Sequence, residues 1–513
     1  MTTQLRRPRA APRPLGTRRA RRGAVLLVAA LMAVSLAACG SRIDPATVSL
    51  SAGAGAAGAG VPGADGAVVG AGEVPGADVA PGTTTGDVTR GGSGSGTVAG
   101  GTAPGGAADD AGTPSAGGEQ GGGENAADGG VRAGSCDGFE NTTGITDDTI
   151  TIANVSDISG PVPGIFEAAQ QATQAYAAYA NSAGDICGRS LKVLDLDSRA
   201  DAGADQQAYT RACDDAFAAV GSMSAFDSGG AATAQQCGLP DIRSYSVNGD
   251  RTRCTTCFAA YAVQPHLVPN AMPQYWAKKA PEAVESVAMF YVNAGAAPAN
   301  AENFRAAWEK NGWDVTVFEA IDTAEFNYAP YVQQAKDAGA RLVSYTGPYQ
   351  FTIRLQQAMR QQGYEPEIFL QDATVYDQRY VDEAGATGDG TYVYAQTAML
   401  DSSVAEMRLY RSWLQQVDPG AEPNTYGVFA WSAARLFVEQ AVALGGKLSR
   451  ASLVERLRGV KDWTGNGIHV PQQVGAERTA NCASIIQLSN GTWKKVSPGE
   501  YLCGSMTNTG LGG

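Results

Sequence analysis

Histidine is scarce: the 513 residues hold only His266 and His469. Imidazole is the commonest general acid–base group near neutral pH, and neither ring stands in a catalytic or metal-binding motif. No H-E-x-x-H, G-x-S-x-G or G-x-x-x-x-G-K-[ST] occurs, so metalloprotease, serine hydrolase and P-loop readings lack their parts. Acid pairs such as Asp214 and Asp215 lie in a stretch with helical spacing and read as a solvated face. The expectation is a protein that is not an enzyme, with no metal and no cofactor. Positive charge is short as well, 38 Lys and Arg against 51 Asp and Glu, for a net charge of −13. An acidic surface repels phosphate backbones, so nucleic acid is not an expected partner.

Large apolar side chains are missing from residues 40 to 134, which are almost entirely Gly, Ala, Ser, Thr, Pro and Asp. Such a stretch cannot offset its ordering entropy and is expected to be disordered. A flexible coil of roughly 95 residues reaches about 55 Å. A long apolar run is missing too. "GAVLLVAALMAVSLAA" is shorter than the roughly 20 residues that span a bilayer. It follows a segment with eight arginines and no acid, and together they describe an export signal. Its end, Leu36-Ala37-Ala38-Cys39, resembles the lipobox of bacterial lipoproteins, in which Cys39 becomes the lipidated first residue. The alternative is an ordinary secretory signal with a cysteine near its end, and the route, Sec or twin-arginine, stays open. The expected organisation is a signal at 1–38, a tether at 39–134, a folded part at 135–505 and a disordered tail at 506–513. Loss of the eight arginines leaves a mature charge of about −21.

Besides Cys39 there are eight cysteines, all in the proposed folded part. An even number suits disulfides outside the cytoplasm. Cys482 and Cys503 flank a hairpin-like stretch, and Cys213 and Cys237 sit on successive helices expected on one sheet face. "CTTC" at 254–257 leads into the strand-like "FAAYAV" rather than opening a helix, so structural cysteines are favoured over a redox pair.

From 149 the chain alternates strand-like and helix-like segments, the mark of an α/β fold with parallel sheets flanked by helices. "TITIANV", "SLKVLDLDS", "AAVG", "PDIRSYSV" and "CFAAYAV" form one set of strands. "ESVAMFYV", "DVTVFEAI", "RLVSYTG", "PEIFLQD" and "GTYVYAQ" form a second. The chain thus reads as two similar lobes. The first takes about 145–264 and 402–465, the second about 275–396, and C-terminal strands at 466–505 turn at Asn490 and Gly491.

Open α/β sheets bind ligands where strand ends lead into helix N-termini. Polar turns fall there: "SDISGP" with Ser156 and Ser159, "GSMSAFDSGG" with Ser224, Phe226 and Asp227, and "SYSVN" with Tyr245 and Ser246. In the second lobe they are "NAGAAP", "TGPYQ" with Tyr349 and "QDATVY" with Asp372 and Tyr376. Hydroxyls and N–H groups of the first set suit a carboxylate or amide oxygen, an acid in the second suits an ammonium group, and aromatics cover an apolar part. Ordinary turn formation is the competing reading of each.

In order and spacing, "GITDDTITIANVSDISGPVPG", "RSLKVLDLDS", "FAAVGSMSAFDSGG" and "VSYTGPYQFTIRLQQAMRQQGY" resemble the solute-binding proteins of branched-chain amino acid ABC transporters, the leucine/isoleucine/valine-binding type of type I periplasmic binding protein. The resemblance covers about 145–460. It implies two Rossmann-like lobes joined by three hinge crossovers, near 264–275, 396–402 and 465–472, that close on a small ligand. It implies carboxylate binding around Ser224–Ser228 and Tyr245–Ser246, an aromatic at Tyr349 and an ammonium partner at Asp372. It also implies ABC permease subunits as partners and, with Cys39, a lipid anchor on the outer face of the bacterial cytoplasmic membrane. "AFDSGG" departs from the family's Ser/Thr-rich run and sets Asp227 where an anion would be received. Asp227 then holds a cationic or hydroxyl-rich group, or caps the next helix. A tethered sensor or surface-interaction protein of the same fold remains the rival reading.

Overall fold

The computed structural model describes residues 132–512. The export signal, Cys39 and nearly all of the tether lie outside the described residues. The folded part begins slightly ahead of 135, since Gly134 N–H donates to Val442 O at 2.9 Å.

The first sheet starts at β1 (Thr149–Ser156), where Thr149 and Thr151 are half-buried and every other residue is buried. Burial on both faces belongs to a central strand of a parallel sheet. The chain continues through helix α1 (Glu167–Ala183), β2 (Ser190–Asp197), α2 (Ala202–Asp215), β3 (Ala218–Val220), α3 (Ser228–Gln236), β4 (Asp241–Ser246), α4 (Gly249–Arg253) and β5 (Cys257–Ala262). The strand order is β2-β1-β3-β4-β5, all parallel. Asp201 caps α2 by accepting from Ala204 N–H, as acidic N-caps do.

A first crossover carries the short β6 (Leu267–Pro269) into the second lobe. There α5 (Ala271–Lys279) and α6 (Pro281–Val284) precede β7 (Val287–Val292), α7 (Ala297–Lys310), β8 (Val315–Ile321) and α8 (Ala329–Asp337). β9 (Leu342–Thr346), α9 (Tyr349–Gln361), β10 (Ile368–Gln371), α10 (Gln378–Ala384) and β11 (Thr391–Ala395) complete its parallel part. The chain then returns to the first lobe as α11 (Ala405–Val417), α12 (Thr425–Leu444) and α13 (Arg450–Arg458). The first half of α12 is buried all round, as a helix apolar on every side must be. Trp431 of α12 meets Tyr176 of α1 edge to face at 4.7 Å. A third crossover leads to β12 (Cys482–Ser489) and β13 (Thr492–Lys495), which extend the second sheet antiparallel, then to β14 (Leu502–Cys503) and β15 (Met506–Asn508). The second sheet runs β13-β12-β11-β10-β9-β7-β8.

The tail departs from the sequence expectation. Residues 506–508 are not disordered but form β15, paired antiparallel with β6 of the first crossover. Asn270 N–H donates to Ser505 O and Thr509 N–H to His266 O, each at 2.9 Å. Lys310 Nζ of α7 holds the carbonyls of Asn508 and Thr509. These bonds order a segment whose composition alone gives no reason for order. The third crossover also runs further than 465–472. Ala398 N–H reaches Ile468 O and Val470 N–H reaches Gln396 O, both at 2.8 Å, and Thr479 Oγ1 accepts from Gln264 N–H at 2.7 Å. The three crossovers therefore lie side by side, tied by hydrogen bonds.

Disulfides join Cys136–Cys187, Cys213–Cys237, Cys254–Cys257 and Cys482–Cys503. Cys254 and Cys257, the latter the first residue of β5, are buried. His469 is buried, bonded to Ser432 Oγ at 2.7 Å, and burial lowers its pKa to about 4, so it is neutral at pH 7. No helix among the described residues is long and apolar enough to cross a membrane.

Candidate ligand-binding cleft

Strand ends of both sheets and the first crossover enclose a cavity of about 240 Å³. The first lobe contributes Phe166, Met223, Phe226 and Tyr245, with Tyr261 at the end of β5 and Tyr426 at the start of α12. The second lobe contributes Phe304 and Trp308 from α7, Phe351 from α9, Tyr394 from β11 and Asp372 after β10. The rings of the first lobe are mutually braced. Tyr245 lies 4.7 Å from Tyr261 and 5.0 Å from Tyr426, and Phe166 lies 4.8 Å from Tyr426, between centroids. Such a wall is rigid and mostly apolar, with few convergent polar groups, the usual character of a small-molecule site.

Those polar groups are specific. Tyr245, Gln264, Asn300 and Trp308 are lining residues, and Tyr245 Oη, Gln264 Oε1, Asn300 Oδ1 and Trp308 Nε1 are buried without a protein partner. A buried polar atom left unpaired costs about 1–3 kcal/mol. Asp372 accepts from Thr374 N–H at 2.8 Å and Thr374 Oγ1 at 2.5 Å, both on Oδ1. Burial pushes its carboxyl up to about 6, with the Thr374 bonds acting in the opposite sense. Asp157, the other acid of the lining, is saturated. It accepts from Ser198 Oγ at 2.6 Å, Ala200 N–H at 3.0 Å and Ala225 N–H at 2.9 Å. Among the described residues no Arg, Lys or His lines the cavity.

The lobes touch on both sides of it. Ala296 N–H of the second lobe donates to Ala225 O of the first at 3.0 Å. On the other side Asn424 Nδ2 donates to Asp377 Oδ2 at 2.9 Å and Arg379 Nη1 to Gly164 O at 3.1 Å.

A family model described as "Periplasmic binding protein" matches residues 149–492. The chain belongs to the periplasmic binding protein family. Solved structures of similar fold include a fatty acid ABC transporter substrate-binding protein from Thermomonospora curvata, 16% identical, with 72% of this chain and 96% of that one covered and a TM-score of 0.62. The branched-chain amino acid transporter substrate-binding protein LivJ of Streptococcus pneumoniae, in complex with isoleucine, is 18% identical, covering 68% and 100%, with a TM-score of 0.58. A solute-binding protein from R. palustris in complex with 4-hydroxybenzoate is 16% identical, covering 70% and 98%, with a TM-score of 0.59. A comparison with curated sequences finds no match. At these identities the likeness carries the fold, and the ligands named for these structures differ, so the lining must speak for the ligand.

In this periplasmic binding protein Phe226, Tyr245 and Asp372 line the cavity, and the other sequence candidates do not. Asp227 is turned away from it, fully buried. Its Oδ2 accepts from Val247 N–H at 3.0 Å, its Oδ1 from Asn248 Nδ2 at 2.6 Å, and Arg243 Nε stands 3.6 Å off. It neither meets a ligand nor caps α3 with its side chain; it pins the loop after β4. Ser224 Oγ accepts from Phe226 N–H, and Ser156 Oγ donates to Asn154 Oδ1 while accepting from Met223 N–H. Ser159 Oγ donates to Asp197. Ser246 Oγ is buried and unpartnered but outside the lining.

Tyr349 packs with Tyr376 and Tyr380, and its hydroxyl donates to Glu383 at 2.9 Å. The aromatic of α9 in the cavity is Phe351. At about 100° per residue, two positions turn a side chain to the opposite side of a helix. Tyr376 stacks edge-on against Trp493 and its Oη accepts from Leu400 N–H. Tyr261 and Tyr394 escaped the sequence reading although both end strands, the same signal that singled out Tyr245. Tyr426 carries no such signal, since it enters from a helix far along the chain.

Proposed function

We propose that this protein is the extracytoplasmic solute-binding component of an ABC importer, capturing a small, largely apolar molecule between its lobes by hinge closure. The observation that carries the reading is the aromatic cavity between two lobes joined by three adjacent crossovers. Each wall comes from a different lobe, so a ligand touching both favours the arrangement in which they meet, and it shifts the population by its differential contacts. The permease subunits then recognise the closed form. Cys39 carries the lipid, and residues 39–134 link it to the binding domain at the outer face of the cytoplasmic membrane.

The test is thermal unfolding against a panel of amino acids, amines, amides, sugars, aromatic acids and fatty acids. A binder at 100 times its dissociation constant adds about 2.7 kcal/mol, several degrees in a protein of this size. The absence of a shift across the whole panel would remove the capture function.

A further inference from the structure

We propose that the ligand of this cleft is an apolar amine without a carboxylate, its ammonium group held by Asp372 in a cavity lined with tyrosines. The inference rests on the capture function and names the class of molecule captured.

The first argument is that the anion-receiving groups of the first lobe are already taken by the protein. Ala225 N–H, in the loop after β3, is bonded to Asp157 Oδ2 at 2.9 Å. Phe226 N–H is bonded to Ser224 Oγ at 3.0 Å. Val247 N–H, in the loop after β4, is bonded to Asp227 Oδ2 at 3.0 Å. Two of these three donors thus face carboxylates of the chain itself and are not free for a ligand carboxylate. Among the described residues no cationic side chain lines the cavity to receive one.

The second argument is the state of Asp372. Both of its hydrogen bonds fall on Oδ1 and come from Thr374, and no Lys, Arg or His among the described residues pairs with it. Oδ2 is left for the cavity. A carboxylate in an apolar wall is costly unless a cation or donor meets it. Tyr245, Tyr394 and Tyr426 line the same cavity as Asp372, and its charge raises the pKa of each hydroxyl as a lesser contribution behind burial. Aromatic faces in the same cavity attract ammonium groups through the ring quadrupole. Met223, Phe226, Phe304 and Phe351 offer apolar contact to the rest of the molecule.

The experiment compares three probes that share one branched skeleton and differ in charged groups, 3-methylbutylamine, leucine and 4-methylpentanoate, with 2-phenylethylamine as a second, aromatic amine. Binding to the full chain is read by calorimetry and by thermal shift, for the wild type and for Asp372→Asn. The amines are expected to bind at least tenfold more tightly than leucine and 4-methylpentanoate. D372N is expected to lose at least tenfold in amine affinity while unfolding cooperatively without ligand. A second variant, Tyr394→Leu, removes a ring and keeps the charge, and is expected to weaken the amines as well. Equal or tighter binding of leucine or 4-methylpentanoate overturns the amine assignment and leaves the capture function standing. Amine affinity unchanged in D372N overturns it too. If none of the four binds, the amine assignment fails, and the broad panel decides separately whether capture survives.

Discussion

The N–H of Ala296 donates to the carbonyl oxygen of Ala225 at 3.0 Å, joining backbone to backbone across the cleft. The contact is possible because residue 295 is glycine. Its φ is +56°, and a Cβ built there would stand 2.8 Å from Ala225 O. On the opposite side Asp377 bridges the lobes by accepting from Asn424, whose own Oδ1 caps α12 at Gly427 N–H. Neither contact lies in the hydrophobic core of one lobe, so both are free to break when the lobes separate.

Gly295→Val is therefore expected to hold the lobes apart without unfolding them. A β-branched residue at positive φ costs roughly 1–2 kcal/mol, and the clash with Ala225 O adds to it only in the closed arrangement. Spin labels placed one on each lobe should report a longer mean distance in the variant. The same distance in both proteins would show that Gly295 does not limit closure.

Asp372 makes stability depend on pH in a defined direction. Its pKa is about 6 in the folded protein against 3.8 for an unperturbed carboxyl, so the folded state binds more protons between those values. Its stabilising contribution is full below pH 3.8 and is lost as pH rises through 6. D372N removes that dependence. The variant is expected to gain on the wild type by on the order of 2 kcal/mol between pH 4 and pH 7. Because Asp205 also titrates near 6, the quantity to follow is the difference between the two denaturation curves. A difference that stays flat across this range would contradict the burial of Asp372.

The strands were legible because each is a short β-branched or apolar run closed by a polar turn; Thr149–Ser156 and Ile368–Gln371 are examples. Asp372 and Tyr245 were legible from their places at strand ends. Asp227 was not, since its role depends on Val247, Asn248 and Arg243, which come near only after β4 has paired. Choosing Phe351 over Tyr349 needs the rotational setting of α9, and a helix boundary uncertain by one residue turns that by about 100°. β15 was missed for another reason. Its partners Leu267, Val268 and Pro269 lie far upstream, and nothing in "SMTNTG" announces a strand.

The Cys482–Cys503 bridge holds the base of that strand. It closes a loop with a sequence separation of 21, for which chain entropy gives about 3 kcal/mol. Replacing both cysteines by alanine should lower stability by about that amount in urea unfolding. It should also speed amide exchange at Asn270 and Thr509, whose N–H groups donate to Ser505 O and His266 O and tie the tail to the first crossover. Unchanged exchange there would mean that β15 stays paired without the bridge.

Arg251 sets the sharpest stability test, because it sits fully buried among acids. Its Nη1 is 2.7 Å from Asp241 Oδ2, its Nη2 3.2 Å from Asp205 Oδ2, and its guanidinium lies 4.2 Å over the Tyr209 ring. Its Nε also donates to Asp227 O, which links this network to the loop pinned below the cleft. Replacing a whole buried network by apolar groups is often harmless, but removing one partner strands the rest, at about 3–5 kcal/mol. Arg251→Met leaves Asp205 and Asp241 facing Arg243 alone, so a loss of that size is expected. The loss should also depend on pH. Arg251 counteracts the upward push of burial on Asp205; without it that carboxyl rises further and its ionised form is penalised more. The variant's deficit should therefore be smaller at pH 5, where the acids take up protons, than at pH 8. The exposed Arg211–Asp215 pair at 3.3 Å is the control, and Arg211→Met should change little at either pH. An R251M deficit as small as the control's, or one equal at both pH values, would show that the buried acids do not depend on Arg251 for their charge.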